Sequence, residues 1–438
     1  MLSKTKDLML KSKFFKDTIN TTFWSTLGKA TGFLIPFFLA TWFGISSDMD
    51  AFFFAYGLVI FISIIFASAI EALIVPFVTE AKSNKENISL FIGKILGNIT
   101  IGLIILIPLF LLIIKPILQV FTRFNSRELF LVYSLLIEIS PLILFLMWTS
   151  ILSGALYAHK KFFFPAISPV FRAIINLAFI FLFREKFGVH SIALGYLVGE
   201  IVRLFVLVIA ITKLNLFKIK PIVNFDSKFL FFFRTAFFSM ISLIAIKMNI
   251  VVDKIMASWL ETGSVSILHY AEILYMIPVA FMSGGILITT LSHWSERFYS
   301  SNSLEILYNG LKKLAKYVFI LAFIISVFLI STNKIFIKLI LGRGEFPLDK
   351  LSVVGLTWVF YLLGFPPRML SQIYIRGFLI LKKTKIMMTC AIYTIAINIL
   401  LNYLLMYRFG IAGIALSTTF VWIFSLFYYL KHFKKALQ

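Results

Sequence analysis

The chain has 438 residues, of which 60% are hydrophobic and 17% aromatic, while only 14% are charged. A soluble protein of this length needs more polar surface, so the composition excludes an ordinary globular domain and predicts an all-α integral membrane protein. The net charge of +23 is distributed between apolar runs along the whole chain, which argues against nucleic acid as a partner. Cys390 is the only cysteine and lies within an apolar run, so no disulfide framework is expected.

The apolar runs are about 20 residues long, which is the length that crosses a bilayer as a helix. We predict about twelve transmembrane helices, at residues 21–43, 51–78, 90–114, 128–154, 163–183, 188–212, 229–251, 264–291, 314–331, 351–377, 386–406 and 411–430. Residues 1–20 are predicted to be a basic cytoplasmic segment rather than a cleavable signal peptide. Connecting segments on the side of the termini carry roughly twice as many Lys and Arg residues as those on the other side, which predicts cytoplasmic N- and C-termini.

Charged residues inside the first predicted spans are candidate site residues, because a charge at mid-bilayer is costly unless it lines a cavity or finds a partner. Lys29 lies on a stripe of polar and small residues in the first span and is predicted to line a cavity. Glu71 in the second span either neutralises a cation such as Lys29 or takes part in transport. Glu138 and Arg172 lie near mid-span in neighbouring helices, where each is either half of a structural pair or part of the cavity.

Two other acidic patterns in the first half are expected to be structural. Glu200 and Arg203 are three residues apart and are predicted to pair on one helix. Asp48 and Asp50 lie in a short external turn, where capping of the second span is the expected structural role.

The second half of the chain repeats features of the first. Asn176 and residues 187–194 return 222 residues later as Asn398 and residues 409–416. A fixed offset indicates an internal duplication, and because it covers six spans, an even number, both halves enter the membrane from the same side as parallel repeats. The predicted organisation is an N-terminal six-helix lobe at 21–212, a cytoplasmic linker at 213–228 and a C-terminal six-helix lobe at 229–438.

The seventh and eighth predicted spans contain the candidate site residues that open the second half. Lys247 stands 218 residues after Lys29, close to the repeat offset, so each half is predicted to present a cation from its first helix. Lys254 follows near the external end of the same helix. His269 and Glu272 are three residues apart and are predicted to be either a structural pair or a proton-coupling element.

The tenth predicted span is interrupted by Pro366 and Pro367, which predicts a break or a kink. Arg368 follows directly, so either a broken helix places it beside a site or it flanks a simple kink. No phosphate-binding Gly-rich loop, metal-ligand motif or cofactor motif is present in the sequence. The connecting loops are also too short for a catalytic domain, so the sequence predicts a transporter that is not an enzyme and has no cofactor.

Several segments, in order along the chain, resemble the MurJ/MviN family of lipid-linked-precursor flippases, which belongs to the multidrug/oligosaccharidyl-lipid/polysaccharide exporter superfamily. The similar segments are Phe43–Ala55 and Val75–Glu80 in the first two helices, Asp253–Ser258, Gly263–Ser266, Tyr270-Ala271 and Pro278 in the seventh and eighth, and Arg376–Lys385 with Asn398 and Asn402 around the eleventh.

The resemblance implies a V-shaped, two-lobed fold in the bacterial inner membrane that flips lipid II, the undecaprenyl-diphosphate-linked peptidoglycan precursor, by alternating access. The implied partners are this lipid-linked oligosaccharide and membrane lipids, and a monomer is compatible with the sequence. Lys29 takes the position of a cavity arginine, Asp50 that of an acidic residue and Lys254 that of a common arginine. With Arg172 and Lys247 they form the predicted substrate-binding set.

The chain departs from the usual family pattern at several places. Ile35-Pro36 stands where an Arg-Asp pair is common, and the second span lacks the arginine expected there. Glu272-Ile273 replaces an Asp-Arg, and Lys383 replaces a frequent Asp. A flippase for another polyprenyl-linked oligosaccharide, such as an O-antigen or exopolysaccharide unit, is therefore the alternative. A small-solute secondary transporter shares the parallel-repeat architecture, but its usual basic motif after the second span is missing from Thr79–Asn87.

Overall fold

The computed structural model describes residues 24, 27–28, 30–282, 304–381 and 383–437, and within these residues it contains helices and no strand. The helices are α1 (Ala30–Phe43), α2 (Ser47–Ser83), α3 (Ile88–Phe121), α4 (Ser126–Ile139), α5 (Pro141–Ala158), α6 (Phe163–Phe187), α7 (His190–Lys213), α8 (Ser227–Ala257), α9 (Ser264–Met282), α10 (Leu304–Ser331), α11 (Asn333–Leu341), α12 (Leu351–Leu363), α13 (Phe365–Ile380), α14 (Thr384–Phe409) and α15 (Ile411–Leu437), with a 3-10 turn at Leu348–Lys350.

Ten stretches of helix in the described residues are long and apolar enough to cross a membrane. The predicted all-α membrane fold is therefore confirmed, since a helix satisfies its own backbone hydrogen bonds where no water can do so. α1 is shorter, and α8, which carries Lys247, Asp253 and Lys254, is not among the ten. Each predicted span overlaps a described helix, while the number twelve stays a prediction.

Two of the spans are built from two helices joined at a break. α4 ends at Ile139 and α5 begins at Pro141, whose ring cannot continue the hydrogen-bond ladder of the preceding helix. α12 ends at Leu363, and α13 begins with Phe365 and has proline in its first turn. The interruption predicted from Pro366 and Pro367 is thus confirmed as a helix break.

The glycines between the last two helices of each half are 222 residues apart, as in the sequence repeat, and have the same backbone conformation. Gly188 between α6 and α7 has φ 52° and ψ −133°, and Gly410 between α14 and α15 has φ 56° and ψ −139°. This left-handed conformation is strained for any residue with a side chain. Asn176 and Asn398, which share the same offset, are both fully buried. The two halves therefore turn their last helix pairs in the same way.

The chain divides into two compact units that do not follow sequence halves. Among the described residues, unit 1 takes those up to Phe38, Ala55–Phe121 and Asn125–Leu243, and unit 2 takes Leu39–Phe54, Thr122–Phe124 and those from Ile244 onward. The start of α2 thus belongs to unit 2 and its remainder to unit 1. The lobe and linker boundaries drawn from the sequence stay a prediction.

The segment that precedes α8, residues 216–226, has no regular secondary structure and packs against α3 within unit 1. We call it the linker strap. Two glycines of α3 make room for it: a Cβ on Gly93 would lie 2.3 Å from the carbonyl oxygen of Lys220, and one on Gly97 would lie 2.3 Å from that of Ile222. The backbone N–H of Ile222 donates to the Gly93 carbonyl over 2.9 Å. Backbone contact this close requires residues without side chains.

Polar groups fasten the end of the linker strap to α3. The side chain of Asn98 donates to the Asn224 carbonyl over 2.7 Å and accepts from the Asn224 N–H over 2.9 Å. Lys94 forms a 2.6 Å ion pair with Asp226, which also caps the first turn of α8 by accepting from the Phe229 N–H. The hydrogen bond from Lys94 lowers the pKa of Asp226.

We expect Gly97→Val to release the linker strap from α3, because the new side chain collides with a backbone carbonyl and not with a mobile side-chain end. Overpacking of this kind costs about 1–3 kcal/mol. Limited proteolysis at residues 216–226 and thermal unfolding measure the effect. Gly102→Ala on the same helix is the control, since a Cβ there meets no atom within 4 Å. Equal protease resistance in both variants would contradict the strap.

The ion pair between Lys94 and Asp226, which fastens the linker strap, depends on pH. Because the pKa of Asp226 is lower in the folded protein, its stabilising effect is complete above the unfolded value of about 3.9 and is lost as the pH falls through the lower folded value. Loosening of the strap by acid is thus confined to pH values below about 4.

Candidate functional site

Unit 1 contains a buried ion cluster in which one carboxylate holds two arginines. Glu200 on α7 is fully buried and accepts from Arg203 over 3.0 Å, from Arg172 on α6 over 3.4 Å and from the Thr149 hydroxyl on α5 over 2.7 Å. The pairing of Glu200 with Arg203 predicted from their spacing is confirmed. We call these four residues the Glu200 cluster. One carboxylate facing two guanidiniums leaves one positive charge.

Close packing of α6 on α7 positions the Glu200 cluster. A Cβ on Gly199 would lie 2.7 Å from the Arg172 carbonyl oxygen, and a Cβ on Gly195 would lie 2.8 Å from the side-chain oxygen of Asn176. Two glycines at this spacing allow the helix backbones to approach closely. The approach brings Arg172 to the buried Glu200 while its own side chain keeps 29% of its surface exposed.

The other predicted acids of unit 1 lie apart from the Glu200 cluster or at its edge. Glu138 on α4 pairs with His190 at the start of α7 over 2.8 Å, so its partner is a residue that the sequence did not suggest. Glu71 on α2 is exposed and interacts electrostatically with Arg203. Lys29 lies outside the described residues, so its predicted cavity position and its pairing with Glu71 stay predictions.

In unit 2, Asp50 caps α9 and not the helix to which it belongs. Its carboxylate accepts from the Gly263 N–H over 2.5 Å, from the Ser266 N–H over 2.7 Å and from the Ser266 hydroxyl over 2.5 Å. Gly263 has no side chain to cap the helix that follows, so Asp50 supplies the acceptor. Ser46 caps α2 by accepting from the Met49 N–H. The sequence predicted that Asp50 caps the second span, α2, and this prediction is wrong because Asp50 caps α9.

Two further predicted site residues of unit 2, Lys254 and His269, both contact Phe53. Lys254 is 6% exposed, and its ammonium group donates to the Phe53 carbonyl over 2.7 Å. The ring of His269 packs against that of Phe53 with centroids 4.0 Å apart and an angle of 33° between their planes. Among the described residues His269 and Glu272 form no ion pair within 4.0 Å, because the His269 ring is turned to Phe53. The roles in binding and coupling predicted for Asp50, Lys254 and His269 stay predictions.

The remaining charged residues predicted for unit 2 are Lys247, Glu272 and Arg368. Lys247 on α8 interacts electrostatically with Arg368 on α13 and with Glu272 on α9. Arg368 lies in the first turn of α13, directly after the helix break. Among the described residues no ion pair of 4.0 Å or less joins these three side chains.

Sequence reasoning missed a buried polar cluster around Asp253. Its carboxylate accepts from the Asn402 side chain over 2.8 Å and from the Thr418 hydroxyl over 3.3 Å, and Asn402 also donates to Asn398 over 3.3 Å. The signal was available, because an aspartate and two asparagines inside apolar spans need partners. Carboxylate, amide and hydroxyl oxygens are ligands that hard cations prefer. In the described residues no group of three or more His, Cys, Asp or Glu side chains forms a metal site.

Comparison with known proteins identifies the family. The family model for the lipid II flippase MurJ matches residues 39–438. The probable lipid II flippase MurJ of Buchnera aphidicola subsp. Schizaphis graminum is 26% identical over 438 residues, which cover 96% of this chain and 84% of that protein. The corresponding protein of Borreliella burgdorferi is 26% identical over 364 residues, covering 81% of this chain and 70% of its own length.

Solved structures show the same fold. A lipid II flippase MurJ in an inward closed conformation matches with a TM-score of 0.80 at 24% identity, over 97% of this chain and 90% of that one. An inward-facing MATE multidrug transporter of the MOP superfamily matches with a TM-score of 0.71 at 14% identity, over 92% and 98% of the two chains. The family model covers far more than half of the sequence, and the chain therefore belongs to the lipid II flippase MurJ family.

Proposed function

We propose that this protein is a multi-pass flippase of the bacterial inner membrane that carries lipid II from the cytoplasmic to the outer leaflet by alternating access. Both termini lie in the cytoplasm in this proposal. The observation that carries it is the match of the lipid II flippase family model to residues 39–438. Peptidoglycan synthesis and cell-wall growth are the processes that such a transporter serves.

The charges inside the spans support a diphosphate-linked substrate. Moving an ionised diphosphate through about 30 Å of hydrocarbon is prohibitive without compensating groups. The Glu200 cluster of unit 1 has two guanidiniums around one buried carboxylate, with Glu71 at its edge, and unit 2 contains Lys247 and Arg368 within its helices. Lys29, on the first predicted span, is proposed to add a further cation. The cations of either unit can bind a diphosphate while the lipid tail stays in the bilayer.

The alternative substrate is another polyprenyl-linked oligosaccharide. It is favoured by the replacement of charged family positions with Ile35-Pro36 and Glu272-Ile273. Such a substrate has the same diphosphate and lipid tail but a different saccharide. The alternative changes the cargo and leaves the mechanism unchanged.

Complementation of a strain depleted of its own lipid II flippase tests the function. We expect the wild-type chain to restore growth and Lys29→Ala and Lys247→Ala to reduce it, while Lys→Arg at either position is tolerated because the charge is kept. Lys334→Ala, on an exposed position of α11, is the matched control. Failure of the wild-type chain, together with rescue of a surface-polysaccharide export defect, would establish the alternative. Full activity of Lys29→Ala would remove that residue from the site.

A further inference from the structure

The linker strap of unit 1 presents two lysines whose charge is not neutralised by a carboxylate of the described chain. Lys218 and Lys220 are both exposed and lie two residues apart. The neighbouring cations Lys94 and Lys228 each form an ion pair with a carboxylate. Among the described residues no ion pair is made by Lys218 or Lys220. The linker strap therefore carries two positive charges that an outside anion can reach.

The other end of the linker strap is apolar and equally exposed. Phe225 keeps 59% of its surface accessible. Its ring lies against that of Phe229, with centroids 5.7 Å apart, and Phe229 lies against Phe233 at 6.0 Å. The same four-residue spacing continues from Phe233 to Phe237 at 6.5 Å, and both of these rings are exposed. Phe225 is thus the first ring of an aromatic column that continues into the predicted seventh span.

Hydrogen bonds to α3 allow the irregular backbone of the linker strap to lie at the edge of a bilayer. The N–H groups of Lys218, Ile222 and Asn224 each donate to α3 over 2.9 Å. Their acceptors extend from Ser89 to Asn98, which is about 13 Å along the helix axis. Irregular backbone is tolerated at membrane depth where protein groups satisfy it. These bonds supply part of that requirement.

We propose that the linker strap is an interfacial anchor that binds anionic phospholipid. Val223 and Phe225 enter the edge of the hydrocarbon, and the ammonium groups of Lys218 and Lys220 bind the phosphates of the lipid headgroups. An apolar face beside a cationic one is the chemistry that an anionic lipid surface recognises. In the orientation of the proposed function this surface is the cytoplasmic leaflet, and the anchor does not depend on which lipid-linked cargo is carried.

The anchor links the lipid surface to the start of α8. Asp226 ends the linker strap and caps α8 by accepting from the Phe229 N–H over 2.8 Å. Phospholipid bound to the linker strap holds it on α3 and reinforces the contacts that position this cap. The linker strap is therefore more protected in an anionic bilayer than in a zwitterionic one.

Hydrogen exchange of residues 216–226 tests the lysine site, with the full chain in nanodiscs of phosphatidylcholine alone or with phosphatidylglycerol. We expect slower exchange with phosphatidylglycerol, and loss of this difference at high salt because the attraction is screened. Lys218→Gln with Lys220→Gln is expected to remove most of the difference, since each lysine near an anionic surface strengthens binding about 5-fold.

Lys82→Gln with Lys85→Gln is the matched control, because it removes the same charge from exposed positions around the neighbouring turn between α2 and α3. Its phosphatidylglycerol effect is expected to equal that of the wild-type chain. An unchanged effect in the Lys218 and Lys220 double variant overturns the site. Equal losses in the two double variants show a general attraction of this face and overturn it as well. Protection by undecaprenyl diphosphate in phosphatidylcholine, without protection by phosphatidylglycerol, assigns the lysines to a substrate phosphate instead.

A spin label tests whether the apolar end enters the bilayer, and Cys390 is the only native cysteine that must be replaced. In a Cys390→Ala background, a label on Phe225→Cys is expected to be relaxed more by oxygen, which concentrates in hydrocarbon, than by a water-soluble nickel complex. Ser83→Cys, exposed at the end of α2, is the aqueous control. Equal access of the nickel complex to both labels places the linker strap in water and contradicts the anchor. If Phe225→Cys does not fold, Val223→Cys, at a position 51% exposed, decides by the same criterion.

Discussion

Glu200→Ala is expected to destabilise unit 1 by about 3 kcal/mol, because removal of one partner from a buried ion cluster leaves the others without compensation. Glu200 is fully buried, and it forms an ion pair with both Arg172 and Arg203. The Thr149 hydroxyl also loses its bond to Glu200 and keeps the Leu146 carbonyl as an acceptor. Thermal unfolding of the purified protein in detergent measures the loss. Glu200→Gln keeps the volume and one acceptor, so a smaller loss is expected.

The matched control for Glu200 is Glu138→Ala. Its hydrogen bond with His190 is partly exposed, with 28% and 37% of the two side chains accessible, and even a charged pair with this exposure contributes only about 0–1 kcal/mol. A double variant, Glu200→Met with Arg203→Met, tests whether charge balance is the cause. It is expected to recover part of the lost stability because an apolar pair replaces an ionic one. Equal unfolding temperatures for Glu200→Ala and Glu138→Ala would show that the cluster is not structural.

The second large effect is expected at Asp50. Asp50→Ala removes the acceptor for three hydrogen bonds at the start of α9. Loss of a helix cap costs about 0.5–2 kcal/mol, and buried donors left without a partner cost about 1–3 kcal/mol more. We therefore expect a lower unfolding temperature together with faster hydrogen exchange at Ser264–Ile267. No side chain at position 263 can take over, since Gly263 has φ 94° and a Cβ there would lie 2.4 Å from Ile45.

Asp48→Ala is the control for Asp50, because it removes the same charge from the same turn of α2 at a half-buried position. The comparison also separates two roles of Asp50. A cap predicts that stability and exchange at α9 change together with transport. A direct substrate contact, as implied by the family resemblance, predicts weaker binding at unchanged stability. If Asp50→Ala keeps both the stability and the exchange protection of the Asp48→Ala variant, the cap is not stabilising.

Several elements were predictable because the signal is local. Runs of about 20 apolar residues predict helices in a bilayer, and Pro366-Pro367 predicted the break that separates α12 from α13. The equal offset of Asn176 and Asn398 predicted equivalent positions, and both are fully buried. Glu200 and Arg203 pair because residues three apart on a helix are neighbours. Each of these inferences depends only on residues close in sequence or on a simple repeat.

The partners of the charged residues were less predictable, because they come from distant parts of the chain. Asp50 accepts from residues 213 and 216 positions later, and Glu138 pairs with His190 across 52 positions. The cluster of Asp253 with Asn402 joins α8 to α14. No periodicity within one helix specifies which neighbouring helix it will contact.

The sequence by itself determined that this protein is an α-helical membrane protein, where its spans lie, that its halves are duplicated and which charges are costly enough to need a purpose. These properties follow from the unfavourable free energy of placing polar groups in hydrocarbon, which is decided residue by residue along the chain. Only the tertiary structure decided how the charges are used: Asp50 as a cap for α9, Glu200 as the centre of a cluster, and Arg368 as a guanidinium held over Tyr275 and Trp422. Those assignments depend on distances between helices, which packing alone sets.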